Sequence, residues 1–297
     1  MQCARVMWVL ALGCGAFLLW YFLKPDKWCE TECTRTTSYP NFALPLSTTT
    51  FANLTATDNV IFIGLDGFGF QNMHDNSATM PFFQLLKNSS VWGDAIIDCS
   101  WASGPNWYGM ISGLNSHDSG ICDNDVQAGI PQHRTVWDVA HSRGKSVGVF
   151  TEWSVFATYG NPATRTNRVN PEATHNQKSA PWLTNVVVPA FGTFEFMTVI
   201  MDGFDANSHV GDEVGFRNIS AHYDKYLFQP LWLYLEAHAN VAVVVTADHG
   251  SSIDLSTHNH DPVPFMVRAP SLVAHREHGV LANNMVAGVV ARLLNRS

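Results

Sequence analysis

Acidic and histidine side chains follow several apolar runs of this chain, in an arrangement that could bind metal ions. Asp66 ends the run NVIFIGLD, Asp205 ends FEFMTVIMDGFD, and Asp248-His249 ends VAVVVTADH. Ligands of open α/β sheets bind outside the carboxyl ends of the strands, so acids that follow three separate strands are expected to meet. The candidate site comprises Asp66, Ser103, Asp205, His209, Asp248, His249 and His258.

The spacing of these residues suits metal coordination. Asp205 and His209 are four residues apart, which corresponds to one helical turn. Asp248 and His249 place a carboxylate next to an imidazole at a strand end, and His258 follows in THNHDPVPF. Carboxylate oxygen and imidazole nitrogen are the ligands that zinc takes where no thiolate is offered. Each pair alone is more typical of a surface turn or a solvated helix face, but the combination predicts a two-metal site.

Ser103 is the candidate nucleophile. It precedes Gly-Pro in SWASGPNWYGMISG, where Pro105 suits the first turn of a helix. A helix N-terminus offers unpaired N–H groups and a positive dipole, which favour an anion such as a phosphoryl group. A serine hydroxyl needs activation before it can attack, and a bound metal ion could supply it. Taken alone, the segment is more typical of a serine that only caps a helix.

Length and composition indicate one large folded domain. The chain has 297 residues, of which 46% are hydrophobic and only 14% are charged, and its net charge is -8. Sequence-independent binding of nucleic acid needs clustered lysine and arginine, so no nucleic-acid-binding module is expected. We predict a membrane segment at 1–27, a stalk or linker at 28–57, and one domain at 58–297.

The N-terminal segment predicts a single membrane-spanning helix. Residues 6–23 form an uncharged apolar run, which is long for the apolar region of a cleaved signal peptide. We therefore favour a signal anchor, with a cleaved signal and a secreted protein as the alternative. Four N-glycosylation motifs favour a lumenal or extracellular domain, and they begin at Asn53, Asn88, Asn218 and Asn295.

The cysteines agree with an oxidising compartment. Outside the apolar run and the residues before it, the chain has an even number of them: Cys29, Cys33, Cys99 and Cys122. Cys99 and Cys122 bracket Ser103, which predicts a disulfide that stiffens this loop. Cys29 and Cys33 would form a local bridge. Free buried cysteines are the alternative.

Apolar runs alternate with helical patterns along the domain. This alternation predicts an α/β fold with a mostly parallel central sheet and helices on both faces. The segment 154–190 is rich in loop-forming residues and could form a short cap or lid. Predicted strands lie at 59–65, 92–98, 146–151, 194–201, 241–247 and 263–268, and predicted helices at 81–88, 106–112, 135–143, 221–238 and 281–294.

Four segments, in this order, resemble the alkaline phosphatase superfamily, and within it the type I phosphodiesterase/nucleotide pyrophosphatase family. They are NVIFIGLDGFG, SGPNWYGMISGLNSHDSGI, DANSHVG, and TADHG with THNHDPVPF. The resemblance covers about residues 58–295 and implies an alkaline phosphatase-like fold with two zinc ions. It assigns one zinc to Asp66, Ser103, Asp248 and His249, and the other to Asp205, His209 and His258. His260 is a competitor for His258, which we prefer because the family places this ligand shortly before a proline, here Pro264.

The resemblance also implies a reaction. The Ser103 oxygen would attack phosphorus to give a phosphoserine that water then hydrolyses, and Asn106 would donate its amide to a phosphoryl oxygen. Sulfatases of the superfamily carry arginine where this chain has Trp107, which argues against a sulfatase. Phosphomonoesterases bring a cation to the extra charge of a monoester, and none is evident near these motifs. Hydrolysis of phosphodiester or pyrophosphate bonds is therefore favoured, with nucleotide-type substrates.

Several alternatives remain open from the sequence. The protein could be a phosphomonoesterase, a phosphoethanolamine or other headgroup transferase, or a non-catalytic binding ectodomain. Trp107, Tyr108 and Trp153 could stack on a nucleobase or contact a lipid headgroup, although apolar core is at least as good an interpretation of each. The predicted partners are a small phosphodiester or nucleotide substrate and, through the N-terminal helix, a membrane. The sequence does not predict an oligomeric state.

Overall fold

A computed structural model describes the chain at residues 36–42, 44, 51, 53–98, 100, 102–124, 133–170, 179–252, 257–259, 261–278 and 281–295. The predicted membrane helix at 6–23 lies outside these residues, as do Cys29, Cys33, Cys99 and His260. Across the described residues, no helix has the length and apolar character needed to cross a membrane.

A nine-stranded sheet forms the centre of the protein, and a separate two-stranded sheet lies beside the candidate site. The strands are β1 (Asn59–Leu65), β2 (Val91–Ile96), β3 (Val147–Thr151), β4 (Thr166–Val169), β5 (Phe196–Met201), β6 (Val241–Thr246), β7 (Gly250–Ser252), β8 (Thr257–Asn259), β9 (Val263–Arg268), β10 (His275–Arg276) and β11 (Leu281–Ala282). The large sheet has the order β10-β2-β9-β6-β1-β5-β3-β4, with β11 beside β2, while β7 and β8 pair with each other.

The large sheet is mostly parallel. Only β9 runs antiparallel, to both β2 and β6. The central strands β1, β5 and β6 are buried along almost their whole length, so both faces of the sheet are covered. These apolar, β-branched runs are typical of strands buried on both faces, and the predicted mostly parallel α/β architecture is confirmed.

Helices fill the connections between the strands. They are α1 (Phe70–Asp75), α2 (Pro81–Asn88), α3 (Ser103–Ser112), α4 (Ser116–Ser119), α5 (Val136–Ser142), α6 (Ser179–Trp182), α7 (Gly203–His209), α8 (Glu213–Tyr223), α9 (Gln229–Ala237) and α10 (Val286–Leu293). Two π-helical segments, Leu183–Val187 and Asp224–Phe228, continue α6 and α8, respectively. Short 3₁₀ turns lie at Pro40–Phe42, Ser154–Thr158, Pro162–Thr164, Val188–Ala190 and Asn283–Met285.

Two predicted helices begin elsewhere than expected. The helix predicted at 221–238 already begins at Glu213, because the Asp212 side chain caps it by accepting a 2.8 Å hydrogen bond from the Gly215 N–H. The helix predicted at 281–294 begins only at Val286. Its first two residues instead form β11, which pairs in parallel with β2, so tertiary pairing overrides local helical pattern.

Two segments expected to stand apart from the sheet contact the domain. Tyr39, in the predicted stalk, donates its N–H to the Gly113 carbonyl at 2.7 Å, and Phe51 is fully buried. The described part of the predicted stalk therefore lies against the domain. Within the predicted lid 154–190, β4 extends the sheet beside β3 rather than covering the site.

Surface features bear on the predicted modifications. The asparagines of all four glycosylation motifs are exposed, which glycan attachment requires. Cys122 is disulfide-bonded. Since Cys99 lies outside the described residues, the pairing of Cys99 with Cys122 stays a prediction.

Candidate active site

The carboxyl ends of three neighbouring strands bring the acidic residues together. β6, β1 and β5 are adjacent and parallel, with Leu65 at the end of β1 opposite Met201 at the end of β5. Asp66 follows β1 and donates its N–H to the Met201 carbonyl at 2.8 Å, while the Asp205 N–H donates to the Asp66 carbonyl at 3.2 Å. The backbone itself therefore fixes the separation of these two acids.

Ser103 is the first residue of α3. Its hydroxyl oxygen lies 3.2 Å from His249 Nε2, and only 4% of the residue is exposed. Ala102, which precedes the helix, has an extended backbone and offers no side-chain cap. The serine therefore reaches the acidic cluster from a helix N-terminus, where N–H groups and the helix dipole favour negative charge.

Four side-chain atoms converge at this end of the sheet. His249 Nε2 lies 3.2 Å from Ser103 Oγ, 3.3 Å from Asp66 Oδ1 and 3.2 Å from Asp248 Oδ2. Neighbouring ligands on a tetrahedral zinc ion with bonds of about 2.0 Å are about 3.3 Å apart. The three distances from His249 Nε2 therefore fit such an ion.

Hydrogen bonding within the set also fits a cation. His249 Nδ1 lies 3.1 Å from the Gly250 carbonyl oxygen, which can only accept a hydrogen bond. In the neutral imidazole Nδ1 therefore carries the hydrogen and Nε2 carries the lone pair. Asp66 Oδ1 and Asp248 Oδ2 are buried and have no hydrogen-bond partner among the described residues. Three lone-pair-bearing atoms thus face one another, an arrangement that a shared cation stabilises.

The electrostatics of the set point the same way. Burial and the charge of Asp248 raise the pKa of Asp66 to about 8. Burial disfavours charged His249, but Asp248 and Asp66 outweigh burial and raise its pKa to about 10. Both shifts express an excess of negative charge in a dry site, which attracts either a proton or a metal ion.

A second group of ligands lies beside the first. Asp205 Oδ2 is 3.0 Å from His209 Nε2, Asp205 Oδ1 is 3.2 Å from His258 Nε2, and the two imidazole nitrogens are 3.0 Å apart. The His249 and His258 rings stack with centroids 3.7 Å apart, so the two groups adjoin. Burial would raise the pKa of Asp205, but hydrogen bonds from both histidines bring it well below its usual range.

Asp202 is an acidic neighbour that sequence reasoning missed. Its carboxylate lies close to those of Asp66 and Asp205, and the three could share a metal ion. Burial and the charges of Asp66 and Asp205 raise the pKa of Asp202 well above its usual value. The signal was present in MDGFD, where Asp202 directly follows the apolar run that became β5.

Trp107 and Tyr108 belong to the core and not to a stacking surface. Both are fully buried, and the Trp107 indole N–H donates to Asp66 Oδ2 at 3.0 Å. Of the two interpretations that the sequence left open, apolar core therefore holds for both residues, whereas Trp153 is partly buried. Trp107 instead orients one of the candidate metal ligands.

Asn106 braces its own loop. Its amide NH2 donates to the carbonyls of Ser100 at 2.6 Å and Ala102 at 3.1 Å, and its Oδ1 accepts from the Asp98 N–H and from Asn283. The amide is thus engaged by the chain itself in this conformation, and its role as a donor to a phosphoryl group stays a prediction.

Asn124 is the amide that meets the start of α3. Its Oδ1 accepts a 2.7 Å hydrogen bond from the Gly104 N–H, one residue beyond Ser103. Sequence reasoning missed this residue. The available signal was its position two residues after Cys122, whose predicted disulfide would hold this segment beside the Ser103 loop.

The sequence pattern of the family described as type I phosphodiesterase / nucleotide pyrophosphatase matches residues 60–260. That span includes Ser103, the candidate nucleophile, and every candidate metal ligand. The chain belongs to this family. Solved structures agree with this membership at the level of the fold.

Phosphatases and sulfatases share the fold of this phosphodiesterase-family chain. Alkaline phosphatase from the Antarctic bacterium TAB5 has a TM-score of 0.58 at 13% identity, over 81% of this chain and 98% of the enzyme. A variant of that enzyme with Mg bound in its M3 site gives 0.59 at 13% identity, over 81% and 99%. The 2-O GAG sulfatase BT1596 gives 0.59 at 14% identity, over 77% and 68%. The fold is therefore alkaline phosphatase-like.

Curated relatives of this family member match over a short region. A 2,3-bisphosphoglycerate-independent phosphoglycerate mutase from Methanosphaera stadtmanae is 32% identical over 79 residues, 27% of this chain and 18% of the mutase. Its counterpart from Aeropyrum pernix is 35% identical over 86 residues, 29% of this chain and 20% of the mutase. The chain thus spans no more than a fifth of the length of either mutase.

Proposed function

We propose that the protein hydrolyses phosphodiester or pyrophosphate bonds, with Ser103 as nucleophile in a two-zinc site. The observation that carries the proposal is the position of the Ser103 hydroxyl. It lies at a helix N-terminus, 3.2 Å from His249 Nε2. The same nitrogen faces oxygens of Asp66 and Asp248 that have no hydrogen-bond partner among the described residues. A serine that only capped its helix would have no need of this acidic surrounding.

The proposed reaction has two steps. Ser103 Oγ forms a bond to phosphorus, its proton passes to solvent, and the leaving oxygen departs with the electrons of its P–O bond and takes up a proton. Water then adds its oxygen to the phosphorus of phosphoserine, and Ser103 Oγ departs and is reprotonated. The products are a monoester and an alcohol, or two phosphates from a pyrophosphate.

The chain's own residues form two ligand sets, one for each proposed ion. Asp66, Asp248 and His249, with Ser103, would hold one ion, and Asp205, His209 and His258 the other. The mixture of imidazole and carboxylate ligands is one that zinc prefers. When bound, two such ions stabilise negative charge on the attacking and leaving oxygens. Trp107 and the N-terminus of α3 orient Asp66 and Ser103 for this chemistry.

A diester suits the surroundings of Ser103 better than a monoester. The side chains near the start of α3 that could contact a phosphoryl oxygen, Asn124 and Tyr159, are uncharged. Trp107 occupies the position at which sulfatases carry arginine. A diester bears one negative charge less than a monoester and needs no cationic side chain. Nucleotide-type substrates are favoured because the family is described as including nucleotide pyrophosphatases.

A substrate panel tests this function. Purified full-length protein with added zinc would be assayed on bis-p-nitrophenyl phosphate, p-nitrophenyl phosphate, a dinucleotide pyrophosphate and a sulfate ester. We expect the diester or pyrophosphate to be hydrolysed fastest, and Ser103→Ala to reduce the rate to background. Equal rates for Ser103→Ala and wild type, or preference for the monoester or the sulfate, contradict the proposal.

The same panel separates the competing functions. Hydrolysis in ¹⁸O-labelled water places the label in the phosphate product, whereas a headgroup transferase would move the phosphoryl group to an added alcohol or glycan. Zinc content without turnover of any ester would favour a non-catalytic binding ectodomain.

We also propose that a signal anchor at 6–23 holds the domain on the lumenal or extracellular side of a membrane. The exposed asparagines of the glycosylation motifs support this orientation. Resistance to carbonate extraction combined with a mass decrease after glycosidase treatment is expected. A protein that carbonate releases or that carries no glycan contradicts the corresponding half of the proposal.

A further inference from the structure

Tyr159 carries a buried hydroxyl that no described residue satisfies. The residue is fully buried, and its hydroxyl oxygen has no hydrogen-bond partner among the residues that the structure describes. Such a group costs about 1–3 kcal/mol and needs an explanation. Asp66 Oδ1 and Asp248 Oδ2 share this condition, and there the proposed metal ion is the partner. Tyr159 belongs to neither ligand set, so its hydroxyl needs a different partner.

The hydroxyl lies over the first turn of α3. A Cβ atom placed on Gly104 would come within 3.0 Å of Tyr159 OH, 3.2 Å of Asn124 Oδ1 and 2.6 Å of the Asp123 carbonyl oxygen. Gly104 directly follows the nucleophile. The hydroxyl therefore lies beside the residue that follows Ser103, at the N-terminus of α3, where helix N–H groups favour negative charge.

Tyr159 is protonated and can therefore serve as a hydrogen-bond donor. Burial and the nearby charges of Asp248 and Asp66 raise the pKa of Tyr159 well above its ordinary value. The phenol therefore keeps its proton and can donate it in a hydrogen bond.

The ring of Tyr159 is held firmly. It makes edge contacts with Tyr108, at 5.5 Å between centroids, and with Phe156, at 6.0 Å. The Arg165 guanidinium donates to the Tyr159 carbonyl and fixes the backbone. A donor that is already in place pays no reorganisation cost when charge develops next to it, which is the property of an effective transition-state donor.

We propose that Tyr159 is a catalytic residue whose hydroxyl donates a hydrogen bond to a non-bridging oxygen of the phosphoryl group held at Ser103. This inference rests on the proposed phosphoryl transfer at Ser103. The proton stays on the phenol oxygen throughout, so the atoms and charges of the reaction are unchanged. The bond strengthens as negative charge accumulates on that oxygen in the transition state.

The Tyr159→Phe variant tests this role because it removes only the hydroxyl and keeps the ring contacts. We expect kcat/KM on bis-p-nitrophenyl phosphate to fall about 10- to 100-fold, since loss of one transition-state donor costs up to about 10³-fold. Zinc content should not change. Resistance to urea should be equal or higher, because an unsatisfied buried group is lost.

Tyr108→Phe is the matched control. Tyr108 is an equally buried neighbour, but its hydroxyl bonds to the His133 backbone. Its removal should lower stability and leave kcat/KM within about twofold of wild type. If Tyr159→Phe retains wild-type kcat/KM, or if its activity and zinc content fall together, Tyr159 is a packing residue and the proposal is wrong.

Direct binding of inorganic phosphate and orthovanadate separates this proposal from the proposed function. Calorimetry on zinc-loaded protein does not depend on turnover. Weaker binding of both anions by Tyr159→Phe than by Tyr108→Phe supports the hydroxyl contact even if no ester is hydrolysed, an outcome that would overturn only the phosphodiesterase assignment. Equal binding by the two variants overturns the contact whatever the activity, and absence of anion binding to wild type overturns both.

Discussion

The indole N–H of Trp107 donates a 3.0 Å hydrogen bond to Asp66 Oδ2 and so fixes the orientation of that carboxylate. The other oxygen, Oδ1, is left facing His249 Nε2 at 3.3 Å. The absence of a side chain on Gly64 makes this contact feasible, because a Cβ there would come within 2.4 Å of the Trp107 ring. A glycine at the last residue but one of β1 thus determines where a candidate metal ligand points.

Trp107→Phe is expected to weaken metal binding while preserving the fold. Phenylalanine keeps an aromatic ring in this space but cannot hold Asp66 Oδ2. Loss of a hydrogen bond that orients a metal ligand typically costs about 10- to 100-fold in metal affinity or activity. Zinc competition with a chromophoric chelator, together with diesterase activity, measures the effect.

Trp137→Phe provides the control for that substitution. Trp137 is also fully buried and donates its indole N–H at 3.0 Å, but to the Thr198 hydroxyl in the middle of β5. Its loss should reduce stability without changing zinc affinity. Equal zinc affinities in the two variants would show that the bond to Asp66 does not orient a ligand.

Tyr223 supports α7, the helix that carries two residues of the second ligand group. Its hydroxyl accepts from the Gly203 N–H at 2.8 Å and donates to Glu152 Oε2 at 2.8 Å, and Glu152 Oε2 also accepts from the Asp202 N–H at 3.0 Å. A buried acid and a phenol thereby satisfy two N–H groups at the start of α7. Asp205 and His209 lie on this helix.

Tyr223→Phe should therefore lower stability and zinc affinity together. It leaves the Gly203 N–H without its partner and removes one of the two donors to Glu152 Oε2, which costs about 1–3 kcal/mol. Urea unfolding in the presence of a chelator measures the first effect, and zinc titration the second. A variant with wild-type stability would indicate that water replaces the hydroxyl. The hydrogen bonds of Tyr223 would then not be needed to hold the start of α7.

The sequence predicted the sheet better than it predicted the site's side chains. Apolar runs such as 59–65 and 263–268 specify buried strands by composition alone, and their observed bounds agree. The gathering of acids at adjacent strand ends follows from parallel topology. Such features depend on local pattern and on few topological choices.

Features decided by long-range contacts could not be read from the chain. Asn106 looked like a phosphoryl donor, yet its amide is engaged by Ser100 and Ala102, and its oxygen accepts from Asn283, far along the chain. Tyr159 gave no signal, because the proposed role rests on a hydroxyl whose lack of a partner among the described residues only the packed structure shows. Sequence pattern indicates which residue types are available, whereas packing decides which way each side chain points.

His222 should make the fold sensitive to acid. It is buried, its Nε2 lies 3.0 Å from the Ser179 hydroxyl, and burial followed by the charge of Lys225 lowers its pKa to about 4. In the unfolded chain His222 becomes protonated near its ordinary pKa of 6.5, whereas in the native protein it stays neutral at that pH. The stability that neutral His222 provides is thus present above about pH 6.5 and is lost as pH falls toward 4, by at most about 1.4 kcal/mol per pH unit.

The His222→Gln variant isolates that contribution. Glutamine can still bond to Ser179 but does not titrate. Urea unfolding at pH 7 and pH 5, with a chelator present so that metal release does not contribute, should show a smaller loss of stability on acidification in the variant. An equal loss in both proteins would assign the acid sensitivity to other groups.

Gly104→Ala should abolish most activity in a folded protein. An added methyl group would meet the Asp123 carbonyl oxygen at 2.6 Å and Tyr159 OH at 3.0 Å, so the backbone of that segment must shift. The displaced groups flank Ser103, and small misplacements of reacting groups cost about 100-fold in rate.

Gly144→Ala is the control: its φ of +72° makes alanine costly by about 1–2 kcal/mol, but its added Cβ meets nothing within 4 Å. The two variants should therefore separate cleanly, with Gly104→Ala losing activity more than stability and Gly144→Ala losing stability alone. If alanine at 104 is tolerated with full activity, the space over the α3 N-terminus is not where the phosphoryl group binds.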